Sequence, residues 1–415
     1  MTELTLEQTQ NRTIRVLVAG QVLSGFGLGA TFSMGSLIAE YLSGSAAWSG
    51  SAATFSTLGT AILALPLSTL AGRKGRRIAL ATGAMIAVLG AILIVTAAAI
   101  GSFGLFICAV FLAGAGGATG LQARFAAVDL PSNRTSAKDL SLVVWATTLG
   151  AIVSPNLFEP GQAVGNALGM PLYTGPFLLM ISGQVLATLV FWFGLRPDPL
   201  LLAASLGKSA SNTRPSIAAN FRAGFRELKV NAIARYSVFT IALSHMVMVG
   251  IMSMTPVHME GMDFGLVLIG FTISLHVAGM YAFAPIFGWL ADKFGRLKII
   301  FAGQLITLAA LGFAGIGQSD MTAIAIGLLL LGLGWSASTV SASALLATNV
   351  KREIKTNVQG MSDSLMSLSG AFGGAIAGAI LSTVEYPGLN AVALLPVVIV
   401  LLITTRQQMK KRASE

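Results

Sequence analysis

The sequence predicts an all-α membrane protein with twelve transmembrane helices, divided six and six. Composition is the first reason: of 415 residues, 54% are hydrophobic and only 10% charged, against about 25% charged in soluble domains. The mean hydropathy is +0.79. The second reason is that apolar runs of about twenty residues recur along the whole chain, each able to cross a hydrocarbon core of roughly 30 Å as a helix. The third is that basic residues fall on alternate connections only. The 47 glycines suit helices that approach closely within a bilayer.

Taken in order, the spans lie at roughly 15–40, 48–71, 78–100, 102–127, 139–157, 173–195, 232–259, 265–290, 298–317, 321–349, 356–383 and 388–405. Arg12 and Arg15 precede the first. Arg73, Lys74, Arg76 and Arg77 join the second to the third, and Arg134 and Lys138 the fourth to the fifth. Lys293, Arg296 and Lys298 follow the eighth; Lys351, Arg352 and Lys355 follow the tenth; Arg406, Lys410, Lys411 and Arg412 follow the last. The opposite connections hold Glu40, Glu159, Glu260, Asp263, Asp320 and Glu385, with no Lys or Arg. This bias places both termini in the cytoplasm. The net charge of +10 is therefore an orientation signal, and no nucleic-acid partner is expected. Cys108 is the lone cysteine, which excludes a disulfide framework or thiolate metal site. The polar, acid-bearing start MTELTLEQTQNR predicts an uncleaved first span.

The longest polar stretch, 196–231, separates an amino-terminal bundle (1–195) from a carboxy-terminal one (232–415). Within it Phe221, Phe225 and Leu228 share one helical face, ringed by Arg222, Arg226 and Lys229. That pattern predicts an amphipathic helix on the cytoplasmic membrane surface.

An internal repeat supports the division. Gly72-Arg73-Lys74-Gly75-Arg76-Arg77 is matched 220 residues later by the string from Gly288 through Asp292, Lys293 and Gly295 to Arg296. The second copy, G-x-L-A-D-K-x-G-R, resembles the signature loop of the major facilitator superfamily. The resemblance implies two six-helix bundles around a central cavity that opens alternately to either side. It also implies a cytoplasmic latch, with Asp292, Arg296 and Arg73 as candidates. The first copy departs from the pattern: Gly72 replaces the acid and Ser68 the first glycine.

The chemistry concentrates at 245–280, which holds all three histidines (His245, His258, His276) and seven of sixteen methionines. Met248 and Met252 stand one helical turn apart, as do His276 and Met280. Thioether and imidazole are donors that suit Cu(I). With the seventh span rising outward and the eighth descending, Met252 and Met280 differ in depth by roughly 15 Å. The four form a ladder rather than one coordination shell. His245, Met248, Met252 and Met259 fall within about 60° on the helical wheel. His245, His258, Met259 and Met262 form an outer collar, and Pro256 predicts a kink there. The same residues admit other readings: methionines fill cores, and a histidine at the midplane serves equally as a proton relay or a ligand for an organic solute.

The M-x-x-x-M and H-x-x-x-M pairs, the 28-residue step between them, and the strings MSMTPVHM, LQARFAAVDL and VVWATTLGAIVSPNL resemble the CcoA-like (CalT) transporters. These are bacterial inner-membrane copper importers, in a group that includes riboflavin carriers. The resemblance implies that Met248, Met252, His276 and Met280 handle the ion, and that copper is cargo rather than cofactor. No cofactor is expected.

Elsewhere, Arg124 and Asp129 stand five residues apart at the cytoplasmic edge of the fourth span, as gate candidates or interfacial residues. The fifth span carries G-x-x-x-S-P (Gly150, Ser154, Pro155), a degraded relative of the G-x-x-x-G-P of drug/proton antiporters. Asp363 is a candidate for proton coupling. No phosphate-binding loop, H-E-x-x-H or Ser/His/Asp set occurs, so neither an enzyme nor an ATP-driven pump is expected. The reading is a gradient-driven copper importer acting as a monomer in the bilayer. The alternatives are riboflavin uptake, or export of small organic solutes by proton exchange; for an organic solute Trp145 and Trp335 are the available stacking partners.

Overall fold

Helix boundaries fall where polar caps and glycines interrupt the apolar chain. The structure, a computed structural model, describes residues 3–130, 136–206, 217–350 and 354–414. Arg134, Lys351 and Arg352 of the basic connections lie outside the described residues. The chain divides into two compact units, Met1–Gly44 with Phe55–Asn212, and Ser45–Thr54 with Thr213–Glu415.

In the first unit α1 (Glu3–Gly29) passes through a wide π turn (Ala30–Met34) into α2 (Gly35–Ser43), which ends at Gly44 in the left-handed region (φ 69°). Next come α3 (Ser51–Lys74), α4 (Arg76–Ile100), α5 (Phe103–Ala113) and α6 (Ala115–Ala126). They are followed by α7 (Ser136–Val153), α8 (Phe158–Ala167), α9 (Phe177–Gly194) and the short α10 (Pro199–Ser205). Ser102 caps α5 by accepting from the Leu105 N–H at 3.3 Å. α1 packs on α7 and α9, and α4 on α5, α6 and α9. Leu17, Leu80, Ala84, Ala123 and Phe191 meet in the resulting core.

In the second unit α11 (Ile217–Val230) precedes α12 (Ala232–Gly261), α13 (Leu266–Tyr281), α14 (Ala284–Phe294), α15 (Arg296–Ile316), α16 (Met321–Asn349) and α17 (Lys355–Ser414). Asn231 starts α12 by accepting from the Ala234 N–H at 3.0 Å. Asp320 starts α16 by accepting from the amides of Thr322 and Ala323. Leu228 of α11 packs into a cluster with Ala234, Val238, Leu346 and Val358, while Phe225 on the same helix is exposed.

Nine helical segments among the described residues are long and apolar enough to cross a membrane. Several correspond to the predicted spans in altered form. The fourth span is two helices joined at Gly114, and the eighth is α13 followed by α14. The last two spans run together as α17, broken at Glu385, where φ is 57° and ψ −174°. The resulting all-helical architecture is that of two six-helix bundles.

Candidate functional site

The two motif pairs sit inside the second unit. Met248 and Met252 on α12 are 3% and 8% exposed; His276 and Met280 on α13 are 0% and 5% exposed. α16 joins them: it packs extensively on both α12 and α13, which touch each other far less. The α13–α16 crossing is close because both helices present glycine. A Cβ on Gly332 would lie 2.3 Å from the His276 carbonyl oxygen and 3.0 Å from the Met280 nitrogen; one on Gly279 would lie 2.7 Å from the Leu329 carbonyl oxygen.

That crossing fixes the imidazole. His276 Nδ1 stands 2.8 Å from the Leu328 carbonyl oxygen. A carbonyl can only accept, so Nδ1 carries the proton. Nε2 of the neutral ring then presents a lone pair, and this buried atom has no hydrogen-bond partner among the described residues. An imidazole anchored through one N–H with the other nitrogen unprotonated is the arrangement of a metal-ligating histidine. Sequence reasoning named His276 but missed Leu328 and Gly332. The only trace of them is the glycine-rich run Gly332-Leu-Gly334.

Pro256 lies within an α12 that remains helical from Ala232 to Gly261. It has no N–H to offer the Met252 carbonyl one turn back. The collar residues have separate environments. His245 Nδ1 accepts from the Trp335 indole N–H at 3.2 Å. Trp335 is in turn edge-on to Tyr281, ring centres 5.9 Å apart. His258 Nε2 donates to the Gln318 carbonyl at 2.8 Å, and its ring stacks on Tyr386 at 4.2 Å. Met259 is fully buried and Met262 is 41% exposed.

The gate candidates also separate. Asp292 is 3.6 Å from Arg296, one turn along on the same face, and Arg296 Nη1 donates to the Thr348 hydroxyl. In the first unit Asp129 is gripped at both oxygens by Arg76, at 2.7 and 3.2 Å, while Arg76 Nη1 donates to Gln122 Oε1 at 2.8 Å. Sequence reasoning counted Arg76 only as part of a basic loop, and the structure singles it out as the partner of Asp129. Arg73 is exposed at the end of α3, Arg124 lies in the last turn of α6, Asp363 is exposed on α17, and Trp145 is exposed on α7.

Comparison with known proteins settles the family. A family model described as Major Facilitator Superfamily matches residues 17–280 and 267–414. The chain belongs to the major facilitator superfamily. Two relatives from Bacillus subtilis, both named uncharacterized MFS-type transporters, are similar over nearly all of it. YddS is 34% identical over 404 residues and YdeG 36% over 396, each alignment covering 94% of this chain and 91% of the relative. The riboflavin transporter RfnT of Brucella anthropi is 24% identical over 403 residues, covering 97% of both chains. Among solved structures, the nucleoside transporter NupG superposes with TM-score 0.70 at 14% identity, over 95% of this chain and 98% of that one. The human organic anion transporter MFSD10 gives 0.63 at 16% identity, over 95% and 99%. At such identities the structural likeness concerns the fold alone. As a superfamily member the chain is a multi-pass membrane transporter rather than an enzyme.

Proposed function

We propose that this transporter imports copper across a bacterial inner membrane, with both termini cytoplasmic, and that Met248, Met252, His276 and Met280 pass the ion along α12 and α13. The supporting observation is the state of His276: Nδ1 is committed to Leu328, and a buried Nε2 lone pair has a thioether, Met280, one turn away. Cu(I) accepts two or three soft ligands, so the ion moves by exchanging one thioether for the next. The M-x-x-x-M and H-x-x-x-M resemblance supports the same cargo and the inward direction.

A second reading, uptake of a planar organic solute, draws on the Trp335, His245 and Tyr281 cluster and on the similarity to a riboflavin transporter. Uptake of copper and of riboflavin into cells expressing wild type, Met248→Ala or His276→Ala separates the two. The copper reading expects copper accumulation to fall in both variants. Copper uptake unchanged in both, together with riboflavin rescue of an auxotroph, replaces it with the second.

A further inference from the structure

Away from the methionine–histidine path, the first unit holds a cavity of about 470 Å³ beside its basic loop, lined in part by Lys74, Arg77, Arg196, Asp198 and Leu201. Three cations there meet one carboxylate, and the carboxylate is engaged by backbone. Asp198 Oδ2 accepts from the Arg77 N–H at 2.8 Å, and Oδ1 from the Leu200 and Leu201 N–H groups at 3.0 and 3.2 Å. Asp198 thus caps α10 and closes the turn at Gly75 (φ 91°), where even a Cβ would fall 2.4 Å from its Oδ2. The positive charge predominates.

Leu195, Leu201 and Leu202 also line the cavity, and aromatic rings lie against two of its arginines. The Arg77 guanidinium lies 5.2 Å over the Trp192 ring, and that of Arg196 lies 5.7 Å over Phe193. Trp192, Phe193 and Leu201 are 40%, 60% and 49% exposed. Exposed aromatic rings capped by arginines, at the end of an apolar helix, mark the headgroup level of a bilayer. A basic pocket open at that level is a place for a phosphate carried on a diacylglycerol.

We propose that this cavity is a binding site for the headgroup of an anionic phospholipid. Lys74, Arg77 and Arg196 hold the phosphate, and Leu201 with Trp192 borders the glycerol and upper acyl chains. A free phosphate offers the same charge but makes no use of the apolar rim. The proposal requires only that the chain spans a bilayer, and it is independent of the cargo.

The test is lipid retention by the purified full-length transporter, measured by native mass spectrometry after release from nanodiscs of phosphatidylcholine mixed with phosphatidylglycerol. Wild type should retain phosphatidylglycerol over phosphatidylcholine by about tenfold or more, and the Lys74→Gln/Arg77→Gln/Arg196→Gln variant should lose that preference, each charge contributing about a factor of five. A control with Lys293→Gln and Lys298→Gln, which removes basic charge in the second unit, should keep it. Equal retention of both lipids by wild type overturns the proposal without reference to any variant's folding. So does an equal loss in the control, which reads as diffuse surface charge. Displacement of phosphatidylglycerol by an equal concentration of inorganic phosphate assigns the cavity to free phosphate instead.

Discussion

The same helix crossing is built twice, once in each unit, and it carries different side chains. In the second unit Gly279 and Gly332 bring α13 against α16, with the His276 carbonyl and Met280 nitrogen at the contact. In the first unit Gly59 faces the Phe111 carbonyl, and a Cβ on Gly114 would lie 2.2 Å from the Ser56 carbonyl and 2.7 Å from the Thr60 nitrogen. Ser56 and Thr60 stand 220 residues before His276 and Met280. The backbone geometry is therefore duplicated while the chemistry is not. Where the second unit presents imidazole and thioether, the first presents two hydroxyls, and that of Thr60 is turned onto the Gly114 carbonyl at 2.8 Å. The glycines repeat between the units while the side chains beside them do not.

The basic loops show the same divergence on one frame. Gly75 and Gly295 both take positive φ, 91° and 99°, and each is followed by an arginine. Arg76 is buried against Asp129, their side chains 9% and 11% exposed, whereas the Arg296 and Asp292 side chains are 26% and 72% exposed. Where the first loop lacks the acid, having Gly72 instead, a carboxylate arrives from beyond the end of α6.

The largest effect expected from this contrast is on stability. Asp129→Ala leaves the Arg76 charge buried without its partner and should cost about 3 kcal/mol; Asp292→Ala in the matching loop should cost less than about 0.5 kcal/mol. Thermal unfolding of the two variants in detergent measures the difference, and similar losses would break the comparison. Next, His276→Ala should weaken Cu(I) binding to the purified transporter by about ten- to a hundredfold, while Ser56→Ala leaves it within a factor of about two. A competition titration with a Cu(I) chelator reads both. Last, Gly332→Ala and Gly114→Ala should each cost about 1–3 kcal/mol through overpacking, but only Gly332→Ala should also weaken Cu(I) binding, because it displaces the His276 and Met280 backbone. Equal copper affinity in the two glycine variants would detach the crossing from the site.

Much of the fold was legible because its causes are local or compositional. Apolar run length and the polar interruptions between runs act within a few residues. The break at Glu385 falls in the connection expected between 383 and 388, but the join at Gly114 was not legible as a helix boundary, since it does not interrupt the hydropathy of its neighbourhood. For the site, the 28-residue step drew attention to Met248, Met252, His276 and Met280. The Leu328 carbonyl that sets the imidazole tautomer carries no residue-type signal, because every residue has a carbonyl. Arg76 was hidden for a related reason: four cations crowd Arg73–Arg77, and only the packing of α4 against α6 selects the one that reaches Asp129.

The central claim is that His276 Nε2 and the neighbouring thioethers meet the ion. X-ray absorption at the copper edge of Cu(I)-loaded transporter tests it most directly. The account predicts a mixed nitrogen and sulfur shell in wild type, and loss of the nitrogen contribution in His276→Ala with sulfur retained. An identical spectrum for the two proteins, or a shell of oxygen alone, would contradict it.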